Sequence, residues 1–240
     1  MAKELILEIG TEEIPAGFMR DVIDKLSEIA SRELAGNALT YGNISSYGTP
    51  RRLTLRVTDL TDKQGDQSRE SYGPPVRIAF DDKGNPTNAT IGFAKSQGVD
   101  VKDLVTVTRD RGEFLAAVKK IKGQKTEKLL KGLLPGIIMD LPFRQSMKWG
   151  VGETVFARPI RWILAVYGGK TIHFNIEEVK SSSKSRGHRF MSPGPFPVSG
   201  WDDYTKGLEK GFVVLDQDRR QDLIEKGIIE LAEKIGGIAL

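Results

Sequence analysis

The sequence predicts an α+β fold of mixed, largely antiparallel sheets with flanking helices, arranged as two lobes. Runs with period-two alternation, such as Leu53, Leu55 and Val57, stand beside runs with helical spacing, such as Phe18, Val22, Leu26, Ile29 and Leu34. The two kinds of run follow one another unevenly, without the strict βαβ alternation of a parallel sheet. No fixed-period repeat appears in the 240 residues, a length that suits one large domain or two intimate ones. The lobe boundary is placed at residue 140, with an N-terminal α+β lobe over 1–140 and a second α+β lobe, carrying the basic segments, over 141–240.

The elements read in order. Residues 3–9 form a strand, and Pro15 opens a helix that runs to Gly36. Residues 44–47 and the alternating run from Leu53 to Val57 are two strands joined at a bend, Gly48-Thr49-Pro50, where Arg51 and Arg52 sit. Gly73-Pro74-Pro75 interrupts the next extended stretch. A polar turn over 81–86 then precedes a short helix over 87–97 anchored by Phe93. Residues 105–108 and 114–121 flank Arg109-Asp110-Arg111-Gly112-Glu113 as an antiparallel hairpin, and a helix over 126–141, kinked at Pro135, follows. Residues 161–167 and 170–176 make a second hairpin around Gly168-Gly169, and the serine-rich stretch 181–185 reads as a flexible loop. Residues 217–235 carry Leu223, Ile224, Ile228, Ile229, Leu231 and Ile235 at helical spacing, and the apolar end that follows reads as cut short.

Composition narrows the function classes. A hydrophobic fraction of 39% and a charged fraction of 28% are ordinary for a folded, soluble protein. The longest apolar runs, 133–141 and 160–167, are interrupted well short of the ~20 residues a membrane-spanning helix needs. The N-terminus shows no signal-peptide pattern, and the absence of cysteine excludes disulfides and thiolate metal sites, so a cytoplasmic protein is expected. The formal charge of +4 is modest, yet residues 140–189 hold nine Lys or Arg against four acids, a local excess larger than that of the whole chain.

Few residues have the spacing of a catalytic or metal site. The two histidines, His173 and His188, stand fifteen positions apart without the pairing a metal site needs. His173 reads as a structural residue within an alternating run. Glu8, Glu12 and Glu13 could divide acid and base roles, but Glu12-Glu13 just before Pro15 suits a helix N-terminus better. No G-x-x-x-x-G-K-[ST] loop is present, and Gly150-Val151-Gly152 lacks the Lys and Ser/Thr that such a loop requires.

Basic and aromatic residues interleave in three stretches: Phe143-Arg144-Gln145-Ser146-Met147-Lys148-Trp149-Gly150, Arg158-Pro159-Ile160-Arg161-Trp162 and Ser185-Arg186-Gly187-His188-Arg189-Phe190. The mixture binds phosphates and offers rings for base stacking. The same residues would serve as a solvated face over core Phe143 and Trp149, or tether carboxylates across a subunit interface. With the bend arginines, the candidates for RNA binding or a subunit interface are Arg51, Arg52, Arg144, Lys148, Trp149, Arg158, Arg161, Arg186, His188 and Arg189.

Several of these stretches together resemble the N-terminal region of the bacterial glycyl-tRNA synthetase beta subunit. They are Glu8-Ile9-Gly10-Thr11-Glu12-Glu13-Ile14-Pro15, Gly48-Thr49-Pro50-Arg51-Arg52-Leu53, Gly73-Pro74-Pro75, the stretch from Gly84-Asn85-Pro86-Thr87 to Gly92-Phe93-Ala94, Ser146-Met147-Lys148-Trp149-Gly150, Phe156-Ala157-Arg158-Pro159-Ile160-Arg161-Trp162 and Arg186-Gly187-His188-Arg189-Phe190. The resemblance runs from Lys3 to the end of the chain, over roughly the first third of a longer subunit that continues into helical domains and a C-terminal anticodon-binding domain. It implies a cytoplasmic enzyme of two alpha and two beta subunits that joins glycine to its tRNA through a glycyl-adenylate. ATP and Mg are expected on the alpha subunit, with no catalytic residue, cofactor or metal in this chain. The basic stretches become candidate contacts to tRNA(Gly) or to the alpha subunit. The alternatives are an assembly module without direct RNA contact and a cryptic editing or hydrolytic domain using Glu12, Glu13 or His188.

Overall fold

The computed structural model describes residues 2–109, 112–149 and 152–239, and its fold is α+β. In chain order, β1 (Lys3–Thr11), α1 (Ala16–Gly36), β2 (Ile44–Thr49) and β3 (Arg52–Leu60) come first. They are followed by β4 (Gln67–Pro75), α2 (Val76–Ala79), α3 (Asn88–Gln97), β5 (Val105–Arg109) and β6 (Gly112–Ile121). Next are α4 (Thr126–Met139), β7 (Met147–Lys148), β8 (Val155–Phe156), β9 (Ile160–Tyr167), β10 (Lys170–Thr171), β11 (Asn175–Ile176) and β12 (Val179–Ser182). The chain closes with β13 (Lys184–Arg186), β14 (Pro195–Pro197), α5 (Trp201–Lys210) and α6 (Gln217–Lys234).

The chain divides into two units. The larger comprises residues 1–64 and 124–240, the smaller 65–123. In the larger unit the main sheet has the order β11-β12-β9-β1-β3-β2, with β10 also paired to β9. β1 lies in the middle, antiparallel to both β3 and β9. Side chains alternate between the faces of a strand. Leu5, Leu7 and Ile9 accordingly join Val22, Leu26, Leu34, Leu130, Leu134 and Ile138 of α1 and α4 in the main core. On the opposite face Ile6, Leu164 and Val166 pack with Val198, Leu215, and Tyr204 and Leu208 of α5. A sheet covered on both faces has no solvated side along most of β1, so Glu8 and Thr11 are buried with the apolar residues.

In the smaller unit, β4, β6 and β5 form an antiparallel sheet. Phe93 of α3 lies where a side chain on Gly73 would begin: a Cβ there would come within 2.4 Å of the ring. The 81–86 turn is closed by Asp81, whose Oδ1 accepts from the backbone N–H groups of Lys83 and Asn85 at 2.9 and 2.7 Å. The tip of the β5–β6 hairpin, Asp110 and Arg111, lies outside the described residues, as do Gly150 and Val151.

The expected elements are present with four differences. The boundary near 140 falls inside the larger unit, because β9 is hydrogen-bonded along the length of β1; the segment that separates is 65–123. The serine stretch 181–185 is not a flexible loop. It supplies β12 and β13, with Ser181 and Ser185 buried, and Ser181 Oγ bonded to the Ile172 carbonyl at 2.8 Å. The second hairpin is short: Gly168 and Gly169, both at positive φ, turn β9 into β10, but residues 175–176 pair with β12 instead. In α6 the apolar residues are helical as expected, yet Leu223, Ile224, Ile228, Ile229, Leu231 and, just beyond its end, Ile235 all remain exposed.

Candidate functional site

Four of the motif stretches meet at the C-terminal end of β1. Gly10 of β1 is paired with Arg52 of β3 on one side and Trp162 of β9 on the other. The Trp162 indole lies over Gly10: a Cβ at this position would stand 2.0 Å from the ring. Only glycine leaves room for the indole there. Gly187, after β13, is equally constrained, since its Cβ would meet the backbone oxygens of Ser192 and Gly211 at 2.8 and 2.9 Å.

Beneath the indole lies a buried ion pair. Arg52 Nη1 donates to Glu8 Oε1 at 2.8 Å and to Ser185 Oγ at 3.3 Å, and its Nη2 donates to the Gly187 carbonyl at 3.4 Å. The two side chains are 3% and 0% exposed. Burial raises the Glu8 carboxyl above its ordinary value, and the Arg52 charge and the hydrogen bonds to the carboxylate oppose that shift. A guanidinium in this position does more than neutralise Glu8: it fastens the 185–187 backbone to the central strand. The Arg186–Phe190 segment is thereby held against the sheet.

The rim is ionic. Glu12 is approached by Arg161 Nε at 3.2 Å, Arg189 Nη1 at 3.3 Å and Arg51 Nη2 at 3.4 Å. Glu13 takes Arg189 at 3.1 Å and Arg51 at 3.4 Å. The Glu13 carboxyl is held below its ordinary value by its own backbone N–H, then by Arg189 and Arg51. The helix-capping expectation for Glu12 and Glu13 is therefore corrected. α1 begins at Ala16 with Pro15 at its cap position and no acid in its first turn, and both carboxylates pair with arginines instead. Arg52, Arg51 and Arg186 lie 5.5, 5.9 and 6.0 Å from the Trp162 ring, within cation–π range.

These groups border two adjoining clefts. One, of about 260 Å³, is lined by Arg51, Arg161, Arg186 and Arg189 with Glu12, Trp162, Gly187 and Pro193. The other, of about 340 Å³, shares Arg51, Gly187 and Arg189 and adds His188, Phe190, Phe212 and Arg220 among its walls. Four guanidiniums against one carboxylate leave the first cleft cationic, with planar forks of donors suited to phosphate or carboxylate. Nothing in this arrangement forms a nucleophile–base pair. His188 is exposed, and its Nδ1 accepts the N–H groups of Phe190 and Met191 at 3.3 Å each, so it closes a turn.

Not all candidates join the clefts. Arg144 pairs with Asp21 of α1 at 3.3 Å and Lys148 with Glu153 at 3.6 Å, all four well exposed. Trp149 packs against the main core and borders a separate depression that also touches Arg161 and Trp162. Arg158 is half-buried and donates to the Ala157 carbonyl at 2.8 Å. His173 is exposed in the segment between β10 and β11. Sequence reasoning overlooked Gly10, the Glu8–Arg52 pair, Phe212 and Arg220. A usable signal was parity, since Arg52 and Thr54 share a face opposite to Leu53 and Leu55, and Glu8 and Gly10 one opposite to Leu7 and Ile9.

Fold and clefts together define an α+β protein with an arginine-lined cleft beside Trp162 at the end of its central strand. The family model described as glycyl-tRNA synthetase beta subunit matches residues 5–240, and the chain belongs to that family. It is 43% identical over 240 residues to the glycine–tRNA ligase beta subunit of Syntrophus aciditrophicus, and 44% identical over 240 residues to that of Syntrophomonas wolfei. The beta subunit of Geobacter metallireducens is 43% identical over 235 residues. All, or 98%, of this chain is covered in these matches, whereas it spans only 34–35% of the length of the relatives. Among the described residues no helix is long and apolar enough to cross a membrane.

Proposed function

We propose that this chain serves as the N-terminal part of the beta subunit of glycine–tRNA ligase, where its arginine clefts hold the phosphate backbone on the acceptor side of tRNA(Gly). The 3′ end is then positioned for a glycyl-adenylate made with ATP and Mg on the alpha subunit. Its contribution to the reaction is orientation of a substrate. The observation that carries this reading is the convergence of Arg51, Arg161, Arg186 and Arg189 around Trp162, four guanidiniums against Glu12 in the cleft wall and Glu13 at the rim. Glu12 holds three of the guanidiniums in place before a ligand arrives, and their remaining donors stay available.

The test uses the full-length beta subunit assembled with alpha, carrying Arg161→Ala with Arg186→Ala. Both side chains are exposed, so the fold is expected to survive. The affinity for tRNA(Gly) should fall, and the log–log salt slope should shrink by about one per guanidinium removed. An unchanged slope with weakened alpha–beta association would assign the cleft to docking of the alpha subunit instead.

A further inference from the structure

We propose that the second cleft, which Phe190 and Phe212 help to line, receives one nucleotide unit, its base against the two phenyl rings and its phosphate on Arg51 and Arg189. This rests on the anion-binding reading above and adds to it a place for a base. The ligand is an aromatic base joined to a phosphate, presented by an unpaired RNA end or as a free nucleotide.

The main observation is Phe212. α5 ends in a Schellman arrangement, in which Val213 N–H bonds the Leu208 carbonyl at 2.9 Å and Phe212 N–H bonds the Glu209 carbonyl at 3.1 Å. The residue at the left-handed position of this motif is usually glycine. Here it is Phe212, at φ 59, a residue 58% exposed and outside both apolar cores. A bulky residue in that conformation is strained, and packing into an apolar core does not offset the strain. Phe190, 81% exposed on the facing loop, is likewise without a core to join, and the Arg189 guanidinium stands 5.6 Å from its ring.

The two loops are held together. His188 N–H bonds the Gly211 carbonyl at 2.7 Å, and Gly187 and Gly211 approach so closely that a Cβ on Gly211 would lie 2.8 Å from Gly187 Cα. The rings are thus presented from a braced frame beside a cleft of about 340 Å³, within the ~300–1,000 Å³ range of small-molecule sites. Exposed aromatics beside guanidiniums are what single-stranded nucleic acid binds, through base stacking and phosphate contact together.

The experiment measures binding of intact glycine tRNA, of the same tRNA trimmed of its unpaired 3′ nucleotides, and of AMP to the full-length assembled protein. The variants are Phe190→Ala, Phe212→Gly and the separate pair Arg161→Ala with Arg186→Ala, which line the first cleft and not the second. Either phenylalanine substitution should weaken intact tRNA about tenfold and leave trimmed tRNA unaffected, which would identify the RNA end as the source. Weakened AMP binding with no change for tRNA would identify a free nucleotide. Phe212→Gly should also raise Tm, because glycine relieves the left-handed backbone; higher stability with poorer binding is a combination that a merely structural ring would not produce. If neither phenylalanine variant alters tRNA or AMP binding, the nucleotide slot is overturned. The RNA reading then stands if the arginine pair still weakens tRNA, and falls with the slot if it does not.

Discussion

Three basic, aromatic stretches that look alike in sequence have unlike surroundings in the fold, one apart from the other two. Arg144 and Lys148, beside Trp149, each face a lone acid in solvent, Asp21 and Glu153. Arg161 and Arg186–Arg189 meet Arg51 and Arg52 at one strand end, around Trp162 and over a buried carboxylate. Exposed single pairs are screened and contribute little. Crowded guanidiniums that share Glu12 keep a local excess of positive charge. Composition along the chain does not separate the two cases; pairing between strands distant in sequence does.

The comparison breaks most sharply at the buried pair. Arg52→Met leaves the Glu8 carboxylate buried without its partner, and unfolding free energy should fall by about 3–5 kcal/mol. Arg144→Met should change it by no more than about 1 kcal/mol. Urea denaturation of both variants measures this. The loss in Arg52→Met should depend on pH. Burial already raises Glu8 above its ordinary 4.5, and without Arg52 the shift is unopposed. A carboxyl raised in the folded state loses stability as pH rises through its folded value, so the variant should be weakest at neutral pH and recover on acidification. Replacing both residues, Glu8→Leu with Arg52→Met, should restore most of the stability. tRNA affinity should stay low, because Ser185 and Gly187 have lost their anchor.

A smaller effect is expected at Gly10, where a Cβ would collide with the Trp162 indole. Gly10→Ala should cost about 1–3 kcal/mol as the ring is forced aside, and tRNA affinity should drop with it. Gly17 in α1 has open space around its Cα. Gly17→Ala should be stabilising by about 0.5–1 kcal/mol. Thermal melts of the two variants, moving in opposite directions, would separate a glycine needed for close approach from one that is not.

Much of the fold was legible because local patterning decides it. The apolar spacing of α1, the alternation of β3 and the Gly168-Gly169 turn appear where the sequence places them. The division into units was not legible, since the pairing of β1 with β9 joins residues from Leu5 and Tyr167 to Thr11 and Ile160, far apart in sequence. The clefts were half legible. Arg51, Arg52, Arg161, Arg186 and Arg189 stand out by residue type, but Arg52 reads as a surface cation until α5 is seen to cover that face of the sheet. Period-two alternation tells which residues share a face, not whether a second layer buries it. Ser185 was misread for the same reason: its hydroxyl lies against Arg52. Phe212 gives no sequence signal, because its interest lies in a backbone conformation.

The mildest change expected is at Glu13, and it sharpens the comparison from the acidic side. Its carboxyl contacts Arg189 and Arg51 at the rim and is about half exposed. Because it is held below its ordinary 4.5, it stays ionised at neutral pH, and its contribution disappears only as pH falls through the lowered value. Glu13→Gln should therefore lower neutral-pH stability only slightly, as expected for a half-exposed pair, and remove that dependence on acidification. It removes a competitor for Arg189, so tRNA should bind a few-fold more tightly at low salt, with the advantage fading as salt screens the cleft. Glu153→Gln removes the partner of Lys148 and should give no such gain. Affinities of the two variants across a salt series compare the regions directly, and an equal gain from Glu153→Gln would mean that both surfaces contact the RNA.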